Sequence, residues 1–373
     1  MTSNASAATP FSTFMRSVPK PAVLVLLIPL SLTLARAKAD PAWVFAVTGV
    51  AILGLISLMA KSTDQLSLST GPVIGGLLNA SFGNFPELII GIHSIQQGLV
   101  ELVKASLVGS IIGNILLTMG LAMFAGGLKF KTQRFSKTGA NALVMMLVVA
   151  LFALAMPSFA NLSARLVNKS LLTHALLQID YVSIYCAVVL LFAYALYLVF
   201  SLKTHADLYT LAPGEAEKPH WSPALSGSVL LVVALLVAYM SDIFVEAITG
   251  MLAGGSVFSE LFMGVIFVAA IGNAVGVGVA VSMARKDKMD LAFQVSLGAS
   301  LQVALLIVPL LVIAGMVIHK PLTLVFNGLE LLSLCACALI SSVSLLDGES
   351  NWFEGAMYVA LYVLVGIVFF FHP

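Results

Sequence analysis

Eleven apolar runs, each about long enough to cross a bilayer, succeed one another along this chain and constrain its fold more than any other feature. They lie near residues 21–37, 42–60, 70–95, 101–126, 138–158, 179–202, 222–246, 257–284, 289–317, 321–344 and 352–371. A spanning helix needs about 20 mostly apolar residues, because lipid offers no partner to a backbone N–H or C=O. Only 9% of the 373 residues are charged, against about 25% in soluble domains, so a water-soluble globule is excluded. The expected class is an all-α, integral multi-pass membrane protein with about 11 transmembrane helices.

The polar segments divide these runs. Residues 1–20, rich in Ser, Thr and Ala, read as a disordered cytoplasmic tail, and 21–37 as the first transmembrane helix. Arg16 and Lys20 before an apolar run mimic a signal peptide, but the many later spans favour a retained helix. Residues 161–178 carry Arg165, Lys169 and His174 among leucines and suggest an interfacial helix. The longest polar connection, 203–221, holds Asp207, Glu215, Glu217, Pro213 and Pro219 and reads as a cytoplasmic linker between 42–202 and 222–373. With the N-terminus inside, Lys and Arg divide twelve to six in favour of the inner side, which puts Pro373 outside. The turn bracketed by Asp347 and Glu354 is assigned to the outer side, and no capping mechanism is read from Ser350 and Glu354.

One stretch, 75–91, breaks the apolar pattern with chemistry. It holds Asn79, Ser81, Asn84 and Glu87 within two to three helical turns. A carboxylate at bilayer depth is costly, so its default reading is functional. Pro86 removes a backbone donor and frees carbonyls, and Gly83 loosens the backbone at the same place. Amide oxygens, freed carbonyls and a carboxylate are the hard ligands of an inorganic cation, with Glu87 as the metal ligand. A kinked span with Glu87 facing water at a helix end is the plainer alternative.

The halves repeat one another. Gly83-Asn84 matches Gly272-Asn273 at an offset of 189 residues, and Ser106/Ser110 matches Ser296/Ser300 at 190. Each serine pair is spaced four apart and shares a helix face. Five spans, an odd number, separate the matched elements, so the repeats are inverted in the membrane. The expected plan is one helix plus two inverted sets of five, with ion motifs at 75–91 and 269–281 and a broken polar helix in each half meeting near the midplane.

The run Gly75–Gly91 followed by Val103–Asn114 resembles the first repeat of the cation/proton exchanger family, within the calcium/cation antiporter superfamily. Phe262-Met-Gly-Val, Gly272-Asn-Ala, Lys288-Met-Asp-Leu-Ala and Ser296–Gln302 resemble its second repeat, and Asp347–Gly355 with Phe371-His-Pro373 its C-terminal signature. The resemblance covers about Leu26 to the end. It implies exchange of cytosolic Ca2+ for H+, with no cofactor and no enzymatic activity. By the same resemblance, Gly83, Asn84 and Glu87 form the midplane element of repeat one, with Asn79, Ser106 and Ser110 as polar neighbours. Gly272, Asn273, Ser296, Ser300 and Gln302 are their counterparts in repeat two.

One departure matters. The family carries a second Glu, often followed by His, after Gly-Asn-x-x, and this chain has Gly276-Val277 there. One carboxylate leaves a bound Ca2+ with net positive charge at low dielectric, which is expensive. A lone Glu87 suits one monovalent cation or one proton better, unless amides, serines and freed carbonyls compensate. Secondary acids are Glu330 in span ten, read as snorkelling or bonding a neighbouring helix with a substitute proton carrier as the sharper alternative, and Asp64 and Asp242 at matching places near the broken spans, read as solvated helix-end charges with attraction of cations at an entrance as the sharper alternative.

Four functions compete: a Ca2+/H+ antiporter, an Na+ or K+/H+ antiporter of the same fold, a non-transporting membrane subunit or sensor, and an intramembrane hydrolase. The last lacks paired acids at depth, since Asp180 has no second intramembrane Asp. Cys186, Cys335 and Cys337 sit in apolar runs without zinc or redox spacing, and a net charge of +1 argues against a nucleic-acid partner. The expected partners are the lipid bilayer and an inorganic cation. A bacterial inner (cell) membrane is the expected location, with a vacuolar membrane as the alternative.

Overall fold

Capping residues and prolines set where the helices begin. In the computed structural model, which describes residues 17–70, 72–167, 172–205 and 219–372, Asp40 Oδ1 accepts from Ala42 N (2.8 Å) just before Pro41. That start opens α2 (Pro41–Thr70), after a 3-10 turn at Lys20–Leu27 and α1 (Ile28–Arg36) have made the first crossing. The chain then reverses into α3 (Pro72–Phe82) and resumes as α4 (Phe85–Gln97), which Gly98 ends at φ 83°. Next come α5 (Val100–Phe130), a short strand β1 (Thr132–Arg134), α6 (Lys137–Val167) and α7 (Leu172–Val199). Ser222 caps α8 (Pro223–Ala253) and Ser259 caps α9 (Glu260–Ala284). The last elements are α10 (Met289–Val317), α11 (Gly328–Ser344), β2 (Glu349–Asn351) and α12 (Trp352–Phe371).

Eight of the described helices are long and apolar enough to cross a membrane. The α1 region, the α3–α4 pair and α11 make up eleven crossings. Exposed Phe152, Phe192, Leu231, Leu235 and Leu339 supply the lipid-facing surface. The apolar interior falls into two main clusters. In one, Ile52, Leu55 and Met59 of α2 pack on Val233, Val237 and Phe244 of α8, with the rings of Phe45 and Phe244 stacked at 4.9 Å. The other joins α5, α6, α7, α10, α11 and α12 around Ile112, Met119, Leu147, Leu301 and Val308.

The inverted repeat is written in the backbone. A π-helical turn at Gly113–Thr118 in α5 has its counterpart at Val303–Ile307 in α10, and each follows the second serine of its pair. Such turns insert an extra residue and recur at functional sites.

Four expectations are corrected. The second run is not a 42–60 span: α2 continues as helix to Thr70, and Ser67 Oγ donates to Gly75 O (2.9 Å) across the reversal into α3. No separate interfacial helix stands at 161–178. Residues 161–167 continue α6 and 172–178 belong to α7, with 168–171 outside the described residues. Span ten begins at Gly328 rather than 321, because Pro321 and the alternation of buried Leu322, Leu324 and Phe326 favour extended chain. Non-helical backbone at depth survives only where protein satisfies it. Here Ser183 Oγ accepts from Leu324 N (3.0 Å), Ser158 Oγ accepts from Phe326 N (2.8 Å), and Lys104 Nζ donates to Val325 O (3.0 Å). Finally, β1 pairs antiparallel with β2, Thr132 opposite Asn351, so the Asp347–Glu354 turn lies on the same face as Lys129–Lys137, not on the opposite one. The tail and linker expectations fall largely on residues 1–16 and 206–218, outside the described residues.

Candidate ion-binding site

The third crossing is interrupted where the sequence places Gly83-Asn84-Phe-Pro86. Gly83 and Asn84 form a turn, and Asn84 (φ −114°, ψ 22°) starts α4 with its carbonyl accepting from Leu88 N at 3.3 Å. Pro86 is tolerated because the first turn of a helix needs no N–H at that position. Glu87 therefore sits in the first turn of α4, where the helix dipole favours negative charge.

The matching region of α9 is different. Helix runs unbroken from Ala269 through Gly272, Asn273 and Gly276 to Ala284, after a π-helical turn at Met263–Val268. A broken helix in both halves was expected; the second half keeps its ladder because Ala274-Val275 stand where Phe85-Pro86 stand in the first, so no donor is missing.

Glu87 meets this intact helix at Gly272. A Cβ on Gly272 would collide with Glu87 Oε1 and lie 2.9 Å from its Cδ, so the carboxylate rests directly on the glycine backbone. Glu87 Oε2 is inaccessible to solvent and has no hydrogen-bond partner among the described residues. Two amides join the repeats around it. Buried Asn84 donates from Nδ2 to Gln302 Oε1 at 2.6 Å, and buried Asn273 donates from Nδ2 to Ser110 O at 3.0 Å. Below them α5 and α9 cross with backbones in contact: Cβ atoms on Gly109 and Gly264 would strike Val265 and Ala105.

The serines are less available than the sequence suggests. Ser106 Oγ donates to Val103 O (2.8 Å) and Ser296 Oγ to Ala292 O (2.9 Å), each within its own helix. Ser300 Oγ donates to Ser296 O (3.1 Å) and reaches Ile111 O across the repeats (3.4 Å). Asn79 lies on α3, and its side chain is outside the described residues.

A cavity of about 460 Å3 leads to this junction. At its closed end lie Gly83, Asn84, Pro86, Gly272 and Asn273, with Glu87 immediately behind them rather than in the lining. At its mouth lie Asp64 on α2, Ser201 and Leu202 beyond α7, and Leu291 on α10, on the side that carries Lys61, Lys203 and Arg285. Two lining amides were not singled out from sequence. Asn114, buried with Nδ2 unpartnered among the described residues, stands four residues after Ser110, a spacing that was legible. Gln294, on α10, had no such signal. Gly276 lines the cavity too, and a Cβ there would meet nothing nearer than Val295 Cγ1 at 4.0 Å.

The secondary acids separate. Asp64 is at the cavity mouth, whereas Asp242 is exposed on α8 in one stripe with Leu231, Leu235 and Tyr239, away from the cavity. Glu330 does not snorkel. It is fully buried and closes a capping box, Oε2 accepting from Asn327 N (2.8 Å) while Glu330 N donates to Asn327 Oδ1 (2.9 Å). The motif Asn-x-x-Glu was readable at 327–330 and again at 351–354, where Asn351 Oδ1 accepts from Glu354 N (3.1 Å). Among the described residues, no three His, Cys, Asp or Glu side chains gather as a metal-holding cluster.

Known proteins agree with this architecture. The pattern of the family described as sodium/calcium exchanger protein matches residues 41–203 and 225–371. A Ca2+/H+ antiporter of Synechocystis sp. is 39% identical, over 94% of this chain and 97% of that protein. The Ca2+/H+ antiporter ChaA of Bacillus subtilis is 38% identical, over 92% and 96%. The solved structure of native YfkE superposes with a TM-score of 0.79 at 34% identity, covering 95% of this chain and all of that one.

Proposed function

This chain belongs to the sodium/calcium exchanger protein family, and from that premise we propose that it exchanges Ca2+ for H+ across a membrane by alternating access. The observation that carries the reading is the placement of Glu87: a carboxylate with a buried, unpartnered oxygen, just behind the lining of the cavity, where a broken helix of one repeat meets an intact helix of the other. Glu87 binds the cation or a proton, not both, and that competition is the coupling. Asn84, Asn273, Gln302 and Asn114 supply neutral oxygens and fix the carboxylate's surroundings. Asp64 draws cations to the mouth.

The N-terminus faces the cytoplasm and the cavity opens inward. Supporting this, the mouth shares its side with most of the Lys and Arg residues. A cell membrane is the location, in keeping with relatives from Synechocystis and Bacillus. A second reading, Na+ or K+ in place of Ca2+, is favoured by Gly276, since one carboxylate neutralises a monovalent ion fully. The test is purified protein in liposomes with a pH-sensitive dye. Proton movement on addition of Ca2+ but not Na+ or K+ supports the first reading, and the reverse selectivity replaces it with the second.

A further inference from the structure

The inverted repeat makes a quantitative demand that this chain does not meet symmetrically. Glu87 has Gly276 as its counterpart at the 189-residue offset that relates Gly83 to Gly272. Residues 272 and 276 are one turn apart on the same face of α9, and both line the cavity. The first receives the Glu87 carboxylate against its backbone; the second faces open space. The site therefore has one carboxylate where two-fold symmetry would give two.

The surrounding charges do not replace the missing one. Helices packed against α4 carry Asp242 and Glu246 on α8, Glu101 and Lys104 on α5, Glu260 on α9 and Asp290 at the start of α10, and Lys320 Nζ donates to Gln96 O at the far end of α4. Glu330, the other buried acid, caps α11, which packs on α5. Asp242 and Glu246 are exposed. Glu101 Oε1 pairs with Lys104 Nζ at 2.6 Å, and Glu260 Oε1 accepts from Leu102 N at 2.8 Å. On α4 itself His93 lies further along, with Nδ1 at 3.0 Å from Ile89 O. On α2, Lys61 and Asp64 stand at the helix end by the mouth, and Tyr197 on α7 lines the wall. The remaining polar groups near the closed end are the amides of Asn84, Asn114, Asn273 and Gln302, which are neutral.

From this we infer that each cycle carries one proton against one Ca2+ and moves one net positive charge in the direction of Ca2+. The inference rests on the Ca2+/H+ reading above. A protonated Glu87 site is neutral. When the proton leaves to the facing solution and Ca2+ takes its place, the loaded site bears +1. Returning with one proton, the site is neutral again, so two charges cross one way and one the other. Transport is then driven by voltage as well as by the pH difference. A second carboxylate would bring a second proton and cancel the net charge.

The experiment uses the full chain in proteoliposomes with K+ gradients and valinomycin to set the voltage, and finds the voltage at which net Ca2+ flux vanishes at fixed ΔpH. One proton per Ca2+ predicts a shift of about 59 mV for each tenfold change in the Ca2+ ratio. Clamping the voltage near zero should also accelerate Ca2+ uptake over vesicles without valinomycin. The variant Gly276→Glu, whose Cβ would meet nothing nearer than Val295 Cγ1 at 4.0 Å, should abolish the voltage dependence while keeping exchange. Ca2+-coupled proton flux in the wild type that ignores voltage, or responds with opposite sign, overturns the one-proton inference and leaves Ca2+/H+ exchange standing. Absence of any Ca2+-coupled proton flux overturns the exchange reading, and the inference with it. A Gly276→Glu protein that folds poorly leaves the wild-type measurement decisive.

Discussion

The helix break at Gly83–Asn84 and the unbroken helix at Gly272–Asn273 carry the same Gly-Asn pair, yet the two halves use it differently. Repeat one spends its backbone continuity: Pro86 and Gly83 end α3, and α4 restarts with Glu87 in its positive first turn. Repeat two keeps its continuity and gives up its side chains, so that Gly272 offers a flat backbone surface and Gly276 a gap. The charge comes from one half and the wall from the other. The lesson is that inverted symmetry of the fold does not require symmetry of the chemistry at its centre.

Substitutions can break this division of labour, and the largest effect is expected at Glu87. Glu87→Gln keeps the shape but removes the charge, and Ca2+-driven proton flux in vesicles should fall by roughly 100-fold or more, since unpairing a buried ion costs several kcal/mol. Wild-type rates in that variant would remove Glu87 from the centre of the site. Next comes Gly272→Ala, whose new methyl must displace the carboxylate. Overpacking of roughly 1–3 kcal/mol should lower apparent Ca2+ affinity about 10- to 100-fold, read by calcium titration.

Asn84→Ala tests the bond that ties the break to α10. Losing the donor leaves Gln302 Oε1 without its partner at 2.6 Å and should reduce flux about tenfold, with a similar effect from Gln302→Ala and little added by the double variant. Additive losses would mean the two amides act separately. The smallest effect belongs to Gly276→Ala. Its methyl meets only Val295 at 4.0 Å, so flux should stay within about twofold while the helix gains roughly 0.4–1 kcal/mol from reduced backbone freedom, measured as a higher thermal midpoint in detergent. A large loss of flux at Gly276→Ala would show that the gap itself is occupied by the ion.

Much of this organisation was readable from residue order. Eleven apolar runs, paired serines at a constant offset and a Pro beside a lone buried acid are enough to argue an inverted-repeat membrane fold with an ion motif. What escaped was directional. Hydropathy gives the same signal for helix and for buried extended chain, so Pro321–Phe326 was read as membrane helix although Leu322, Leu324 and Phe326 alternate. Depth alone lets Glu330 snorkel, bond a neighbouring helix or carry a proton, whereas Asn327 three residues earlier announces a helix cap. The contact of Glu87 with Gly272 depends on the turn angle at Asn84, which no spacing rule encodes. The exchange of serine hydroxyls with their own helix carbonyls is likewise a rotamer choice, invisible in the sequence.

The small strand pair has a consequence for how the protein is made. Arg134 lies opposite Glu349, and Arg134 Nε donates to Glu349 Oε1 at 3.1 Å, so a connection early in the chain waits for one almost at its end. A chain emerging from the ribosome inserts α5 and α6 long before β2 exists, and during that interval β1 presents an open edge. Only when β2 has been made can it cover that edge. A chain stopped after Ser344 should keep its inserted helices but leave Thr132–Arg134 open to protease from the side that β2 normally covers, and protection of that segment in the truncated chain would show that the first half is finished without the second.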